Sequence, residues 1–278
     1  MKEFKKLGFS DRFMFNTVME DPELCRRVLE TLLQTKLSEL TMPLSEKEVK
    51  ATKDGKAIRL DVFTQDSVSG AVFDTEMQNL NRKSVDSLAL PKRSRYYQAM
   101  IDIKSLDSGN DYQELADSNI IFICTFDPFG KGSYKYSFRE CCEDNPELKL
   151  KTGTAKIFFN TTSESGDMPE EIRYLFEYIN TGKPLDELTG DIETMIDSKR
   201  DDFELSVRWL REYFDREDAR YEGREEGREE GRMQARIDSI ATFLSNGGTK
   251  EMLKQFLNAT DEEIELAEKK LDELNGKL

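Results

Sequence analysis

Residues Ser118 to Phe126 form an uninterrupted run of mostly β-branched and aromatic residues, Ile120-Ile-Phe-Ile-Cys-Thr-Phe126 at its centre. From Ile120 to Cys124 there is no polar position to face water, and such a run reads as a strand buried on both faces. A strand of this kind needs a layer on each side, which places the chain among α/β folds. The text before it agrees. Ile58-Arg-Leu-Asp-Val-Phe-Thr64 and Ala71-Val-Phe-Asp-Thr-Glu-Met-Gln78 alternate as strands, and the six residues Gln65 to Gly70 between them are rich in turn formers. Leu90-Pro91 then opens a helix to about Lys104, with Tyr96, Met100 and Ile103 expected on its packed side. Hairpin, crossover helix and buried strand together predict a βαβ unit inside a mixed sheet.

Around this unit the pattern predicts two short N-terminal helices, the first following Ser10-Asp11 and the second opened by Asp21-Pro22. Further strands are expected at Ser133–Phe138 and Lys156–Asn160, and a helix over Pro169–Asn180. Beyond Gly182 the text turns polar and helical, with a narrow apolar stripe of Phe203, Val207, Leu210 and Phe214. The repeat Glu222-Gly-Arg-Glu-Glu-Gly-Arg-Glu-Glu-Gly-Arg232 follows. Three helix-interior glycines cost about 1 kcal/mol each against alanine, so this helix is marginal unless something packs on it. Gly223, Gly227, Gly231 and Ala235 form a row of small residues that would let a second backbone approach, and a homodimer or higher oligomer through the tail is expected. Asn246-Gly-Gly248 breaks the helix, and Thr260-Asp-Glu-Glu263 is a capping box for a last one. The expected division is residues 1–180 as an α/β domain and 181–278 as a charged helical tail.

Composition narrows the chemistry. Among 278 residues there is no histidine, which removes Ser-His-Asp triads, Cys-His pairs and histidine metal sites. Cys25, Cys124, Cys141 and Cys142 lack C-x-x-C spacing, so neither a structural zinc nor a disulfide framework is expected. A net charge of -15 opposes nonspecific nucleic-acid binding by the molecule as a whole. Between Arg82 and Lys104, however, six basic residues face two acids, and an anionic ligand is expected there. No apolar run is long enough to span a membrane, and Met1-Lys-Glu-Phe-Lys-Lys leads into polar text without a secretory core. A cytoplasmic location is expected.

The carboxylates of the hairpin carry the sharper signal. Asp74, Glu76 and Gln78 share one strand face by period-two alternation. If Thr64 pairs with Ala71, Asp61 lies opposite Asp74 and diagonal to Glu76, within about 7–8 Å. Carboxylates this close repel, and a divalent cation held by their oxygens would compensate.

The spacing D-x(14)-E-x-Q, followed by a helix and a buried strand, resembles the PD-(D/E)XK (restriction-endonuclease-like) nuclease core. Ser10-Asp-Arg-Phe-Met-Phe15, Arg59-Leu-Asp-Val62, Asp74-Thr-Glu-Met-Gln78, Leu90-Pro-Lys-Arg-Ser-Arg-Tyr-Tyr-Gln-Ala-Met-Ile-Asp102, Phe122-Ile-Cys-Thr-Phe-Asp-Pro-Phe-Gly130 and the Arg-Glu-Glu-Gly repeat resemble the recombination-promoting nuclease (Rpn), transposase-like family of that superfamily. The resemblance implies a mixed central sheet flanked by helices and a DNA endonuclease using Mg²⁺, or Mn²⁺ in its place. It makes Asp61 and Glu76 metal ligands and sets Gln78 where the wider superfamily has lysine. Glutamine is neither a base nor a cation, so water activation would fall to the metal. Arg93 fits a phosphate clamp that Tyr97, one turn on, would orient, and Asp11 fits an accessory acid. Plainer readings stand beside these. Asp61 could pair with Arg59 or Lys56, Asp74 reads as a solvated neighbour, Arg93 and Arg95 as solvated helix residues, and Asp11 as a helix N-terminal charge. The alternative to an enzyme is an inactive nuclease-fold module that binds DNA or proteins.

Overall fold

The computed structural model describes residues 4–49, 58–79, 88–106 and 109–275. Its order is α1 (Arg12–Met19), α2 (Pro22–Leu33), β1 (Leu44–Val49), β2 (Ile58–Gln65), β3 (Val72–Gln78), α3 (Leu90–Ser105), β4 (Ser118–Cys124), β5 (Lys135–Phe138), β6 (Thr154–Asn160), α4 (Glu170–Thr181), α5 (Glu187–Arg200), α6 (Phe203–Ser245), α7 (Lys250–Leu257) and α8 (Asp261–Asn275). The strands form one mixed six-stranded sheet in the order β1-β2-β3-β4-β6-β5. β1, β2 and β3 are antiparallel, β3, β4 and β6 are parallel, and β5 returns antiparallel on β6.

The apolar run lies at the centre of the sheet, where Ile120, Ile121, Phe122, Ile123 and Cys124 have no exposed surface. On one face Ile120, Phe122 and Cys124 pack with Leu90, Met100 and Ile101 of α3 and with Phe158 of β6. On the other, Phe159 meets Phe176 of α4 at 6.1 Å between ring centroids. The packed side of α3 differs from expectation. Tyr96 and Ile103 are exposed, whereas Leu90, Ser94, Gln98 and Ile101 are buried. Polar residues hide this face from an apolar-stripe reading: Gln98 is bonded to Ser118 and Asp102. All four cysteines are free thiols.

The chain divides into two compact units, residues 1–206 and 207–278, rather than at 180. The difference is α5. Asp186 caps it in a capping box with Thr189, and Leu188, Ile192 and Ile196 are buried. Arg27 pairs with Asp191 at 2.6 Å, and Arg200 donates to the Leu7 carbonyl at 3.0 Å. Three apolar residues at four-residue spacing amid Glu, Thr, Asp and Lys are enough to seat this helix on α1, α2 and α4.

In the second unit, Ile237, Ile240 and Ala241 of α6 pack with Leu253, Ile264 and Ala267. Asn246-Gly-Gly248 is the break: a Cβ on Gly248 would collide with the Phe243 ring. The capping box at α8 forms in both directions, Thr260 N to Glu263 and Glu263 N to Thr260. Among the described residues no helix is long and apolar enough to cross a membrane.

Ile192 tests the placement of α5. Ile192→Ala should destabilise the first unit by about 2–5 kcal/mol through the cavity it leaves, read by denaturant melts of the full chain; a cost below about 0.5 kcal/mol, typical of exposed sites, would detach α5 from the core.

Candidate functional site

The site grows from the β2–β3 hairpin. Gln65 pairs with Val72 and Thr64 with Phe73, two residues away from the expected Thr64–Ala71 pairing. The cause lies in the turn. Asp66 N–H donates to Ala71 O at 2.9 Å, extending the ladder by a step. The Asp66 carboxylate accepts from Ser38, Val68 and Ser69 N–H and fixes the loop, with Gly70 at φ 72°. In this register Asp74 lies opposite Phe63, and continuing it sets Asp61 opposite Glu76.

The ladder runs only to Val62↔Thr75, and beyond that step carboxylates replace carbonyls as acceptors. Asp61 N–H donates to Glu76 Oε1 at 2.9 Å, and Met77 N–H to Asp61 Oδ2 at 3.3 Å. Each carboxylate also holds a guanidinium. Arg12 Nε of α1 lies 2.5 Å from Asp61 Oδ1, and Arg93 Nη2 of α3 lies 3.0 Å from Glu76 Oε2. Gln78 Nε2 reaches the same Oε2 at 3.4 Å, at the long limit of a hydrogen bond. The Arg93 guanidinium also lies over two rings, 5.4 Å from the centroid of Tyr97 and 5.1 Å from that of Phe122.

Asp74 departs from its expected place. It has no exposed surface, and neither carboxylate oxygen has a hydrogen-bond partner among the described residues. The expectation of a solvated neighbour is therefore corrected. The structure buries Asp74 because β3 is an inner strand, flanked by β2 and β4, with all seven residues out of water.

Burial raises the pKa of all three acids. Glu76 is pushed up to about 8, first by burial and then by the Asp61 charge, against the pull of Arg93. Asp61 is raised by burial, opposed by Arg12 and Arg93. Asp74 is raised well above the usual range by burial and by the charges of Glu76 and Asp61. Tyr97 is pushed upward by burial and by Glu76.

The structure therefore brings Asp61, Glu76, Gln78, Arg93 and Tyr97 together. Asp11 stands otherwise: it is the N-cap of α1, its carboxylate accepting from Phe13 N–H at 3.1 Å. The cation that the structure sets against Asp61 is Arg12; Lys56, Arg82 and Lys83 lie outside the described residues. Sequence reasoning misses Arg12, although its place between Asp11 and the first buried turn is a signal. Among the described residues no three His, Cys, Asp or Glu side chains are arranged to hold a metal ion. Comparison with protein-family models, curated proteins and solved structures matches none of them.

The carboxylates make stability depend on pH. Glu76 titrates near 8 when folded and near 4.3 when unfolded, so its contribution is fully present below that lower value and is lost as pH rises through 8. In denaturant melts without divalent cations, wild type should lose stability relative to Glu76→Gln between about pH 5 and pH 8. A gap that stays constant across that window would place Glu76 in water.

Proposed function

We propose that the chain is a Mg²⁺-dependent endonuclease that hydrolyses DNA phosphodiesters, an Rpn-like member of the PD-(D/E)XK group. The observation that carries the reading is the buried trio Asp61, Glu76 and Asp74 at the opened end of β2–β3, with Arg93 and Gln78 beside it. Strands β1 to β3 antiparallel, a helix, and β4 parallel to β3 match what the resemblance implies. The donors are all oxygen, the kind a hard divalent cation takes, and both Asp74 oxygens lack a hydrogen-bond partner among the described residues. Asp61 and Glu76 would hold it, and a bound Mg²⁺ supplies a water of lowered pKa and positive charge for the scissile phosphate.

The chain's own residues set the rest. Arg12 and Arg93 neutralise the two ligand carboxylates, so they and a cation compete for the same oxygens. Arg93, 25% exposed and held against Tyr97 and Phe122, can turn an N–H toward a phosphate oxygen. Gln78 orients a neighbour through its amide and takes no proton.

Plasmid nicking tests the reading. Wild type should cut with Mg²⁺ and not with EDTA, while Asp61→Asn and Glu76→Gln should lower the rate at least about a hundredfold, the loss typical of one electrostatic catalytic group. These shape-keeping variants are preferable to alanine, which would strand the N–H groups of Met77 and Asp61 and the guanidinium of Arg12. Nicking by either variant at wild-type rate contradicts the assignment. Gln78→Lys should change the pH dependence of cleavage, and an unchanged profile places Gln78 outside the site.

The tail is proposed to pair with a second copy of the chain. Val207, Leu210 and Phe214, 38, 36 and 54% exposed, follow at the three- and four-residue steps of a coiled-coil seam, and Tyr221, 68% exposed, lies a further seven residues on. Further along α6, nothing described lies within 4 Å of a Cβ built on Gly223, Gly227 or Gly231. Two copies would supply two sites, one for each strand. Sedimentation equilibrium should give a dimer for wild type and a monomer for Leu210→Glu/Phe214→Glu; a monomeric wild type contradicts the pairing.

A further inference from the structure

The basic stretch that stands out in the sequence is not used up by the site. Among the described residues of α3, only Arg93 pairs with the buried carboxylates. The opposite side of the helix carries Lys92, Arg95, Tyr96, Ala99 and Ile103, with Leu88 just ahead of its start. All are exposed and follow one another at three- and four-residue steps, so they form one stripe. From Lys92 to Ile103 it is about 17 Å long at the helical rise.

Charge marks this stripe as unusual for the chain. The molecule has 56 acids against 41 bases, yet Lys92 and Arg95 form no ion pair among the described residues. The one acid of α3, Asp102, accepts from Gln98 at 2.9 Å. Cations without an acidic partner among the described residues, beside an exposed tyrosine, 39% accessible, combine phosphate attraction with a stacking surface. Lys92 precedes Arg93 in sequence, so the stripe begins in the same turn of α3 as the residue that pairs with Glu76.

We infer that the outer stripe of α3 binds a single nucleic-acid strand, with an unstacked base on Tyr96 and phosphates on Lys92 and Arg95, and leads it to Arg93. The occupant is one strand rather than a duplex. A duplex presents charge across its whole width and would bring its second backbone against a strongly acidic protein. A strip one helix face wide, with an aromatic ring in it, matches a lone strand. The inference rests on the nuclease reading for its purpose, but its test is binding and does not depend on cleavage.

The experiment is fluorescence anisotropy of the full-length protein in EDTA, with a labelled oligothymidylate and with its duplex on oligodeoxyadenylate, over a series of salt concentrations. The single strand should bind more tightly than the duplex. Lys92→Ala/Arg95→Ala should reduce the slope of log K against log salt by about 1.4, two contacts at about 0.7 each. Tyr96→Ala should weaken single-strand binding by about fivefold to a hundredfold and leave the slope in place. These side chains are exposed, so thermal melts should be unchanged. Undetectable binding, an unaltered slope in the double variant, or a duplex preference indifferent to Tyr96→Ala would each overturn the inference. Binding that behaves as described, without Mg²⁺-dependent cleavage, supports the stripe and sinks the nuclease reading. Asp61-dependent cleavage with surface variants that bind like wild type does the reverse.

Discussion

Carboxylates can be kept out of water together only if protons or nearby cations neutralise them, and much of the first unit is arranged around that requirement. Asp61, Asp74 and Glu76 are all buried. An isolated buried carboxylate costs several kcal/mol even after relaxation, so the arrangement depends on Arg12 from one helix and Arg93 from another. Those two contacts fix where α1 and α3 begin relative to the sheet. The backbone joins in, since Asp61 and Met77 N–H groups donate to side chains instead of to the neighbouring strand. Of the three, Asp74 is left without a hydrogen-bond partner among the described residues, a residual cost that the fold carries.

Burial and topology explain why the trio occurs at this end of the sheet. β4 is buried on both faces and needs α3 as its cover. The crossover that delivers α3 starts just after β3, so the first turn of the helix returns near Glu76 and places Arg93 there. Within the covered face Ser94 donates to the Pro91 carbonyl and the Gln98 Nε2 to Ser118. The same helix therefore offers the sheet an inner face of Leu90, Met100 and Ile101 with Ser94 and Gln98 among them, and a basic outer face to solvent.

How much of this is legible in the sequence follows from how local each signal is. β4, the hairpin strands, α3 and the capping box at Thr260 are legible because period, apolar runs and cap residues are local. Asp61, Glu76, Gln78, Arg93 and Tyr97 can be placed near one another from strand alternation and family resemblance. The expected register is two residues off because the Asp66 side chain, not the loop length, decides where the turn closes. β1 goes unseen because Leu-Ser-Glu-Lys-Glu-Val reads as polar text and lies at a sheet edge. α5 falls to the tail in a sequence reading because its three apolar contacts are spread through charged residues. Arg12 escapes because its partner, Asp61, is far away in sequence, and no periodicity reports a pairing of that kind.

Everything proposed for the site depends on whether the carboxylate trio binds a divalent cation. Isothermal titration of the full-length protein with Mn²⁺ measures this without any substrate. Wild type should bind the ion with measurable heat, and both Asp61→Asn and Glu76→Gln should abolish that heat while remaining folded. Absence of binding by wild type, or the same binding by both variants, would contradict it.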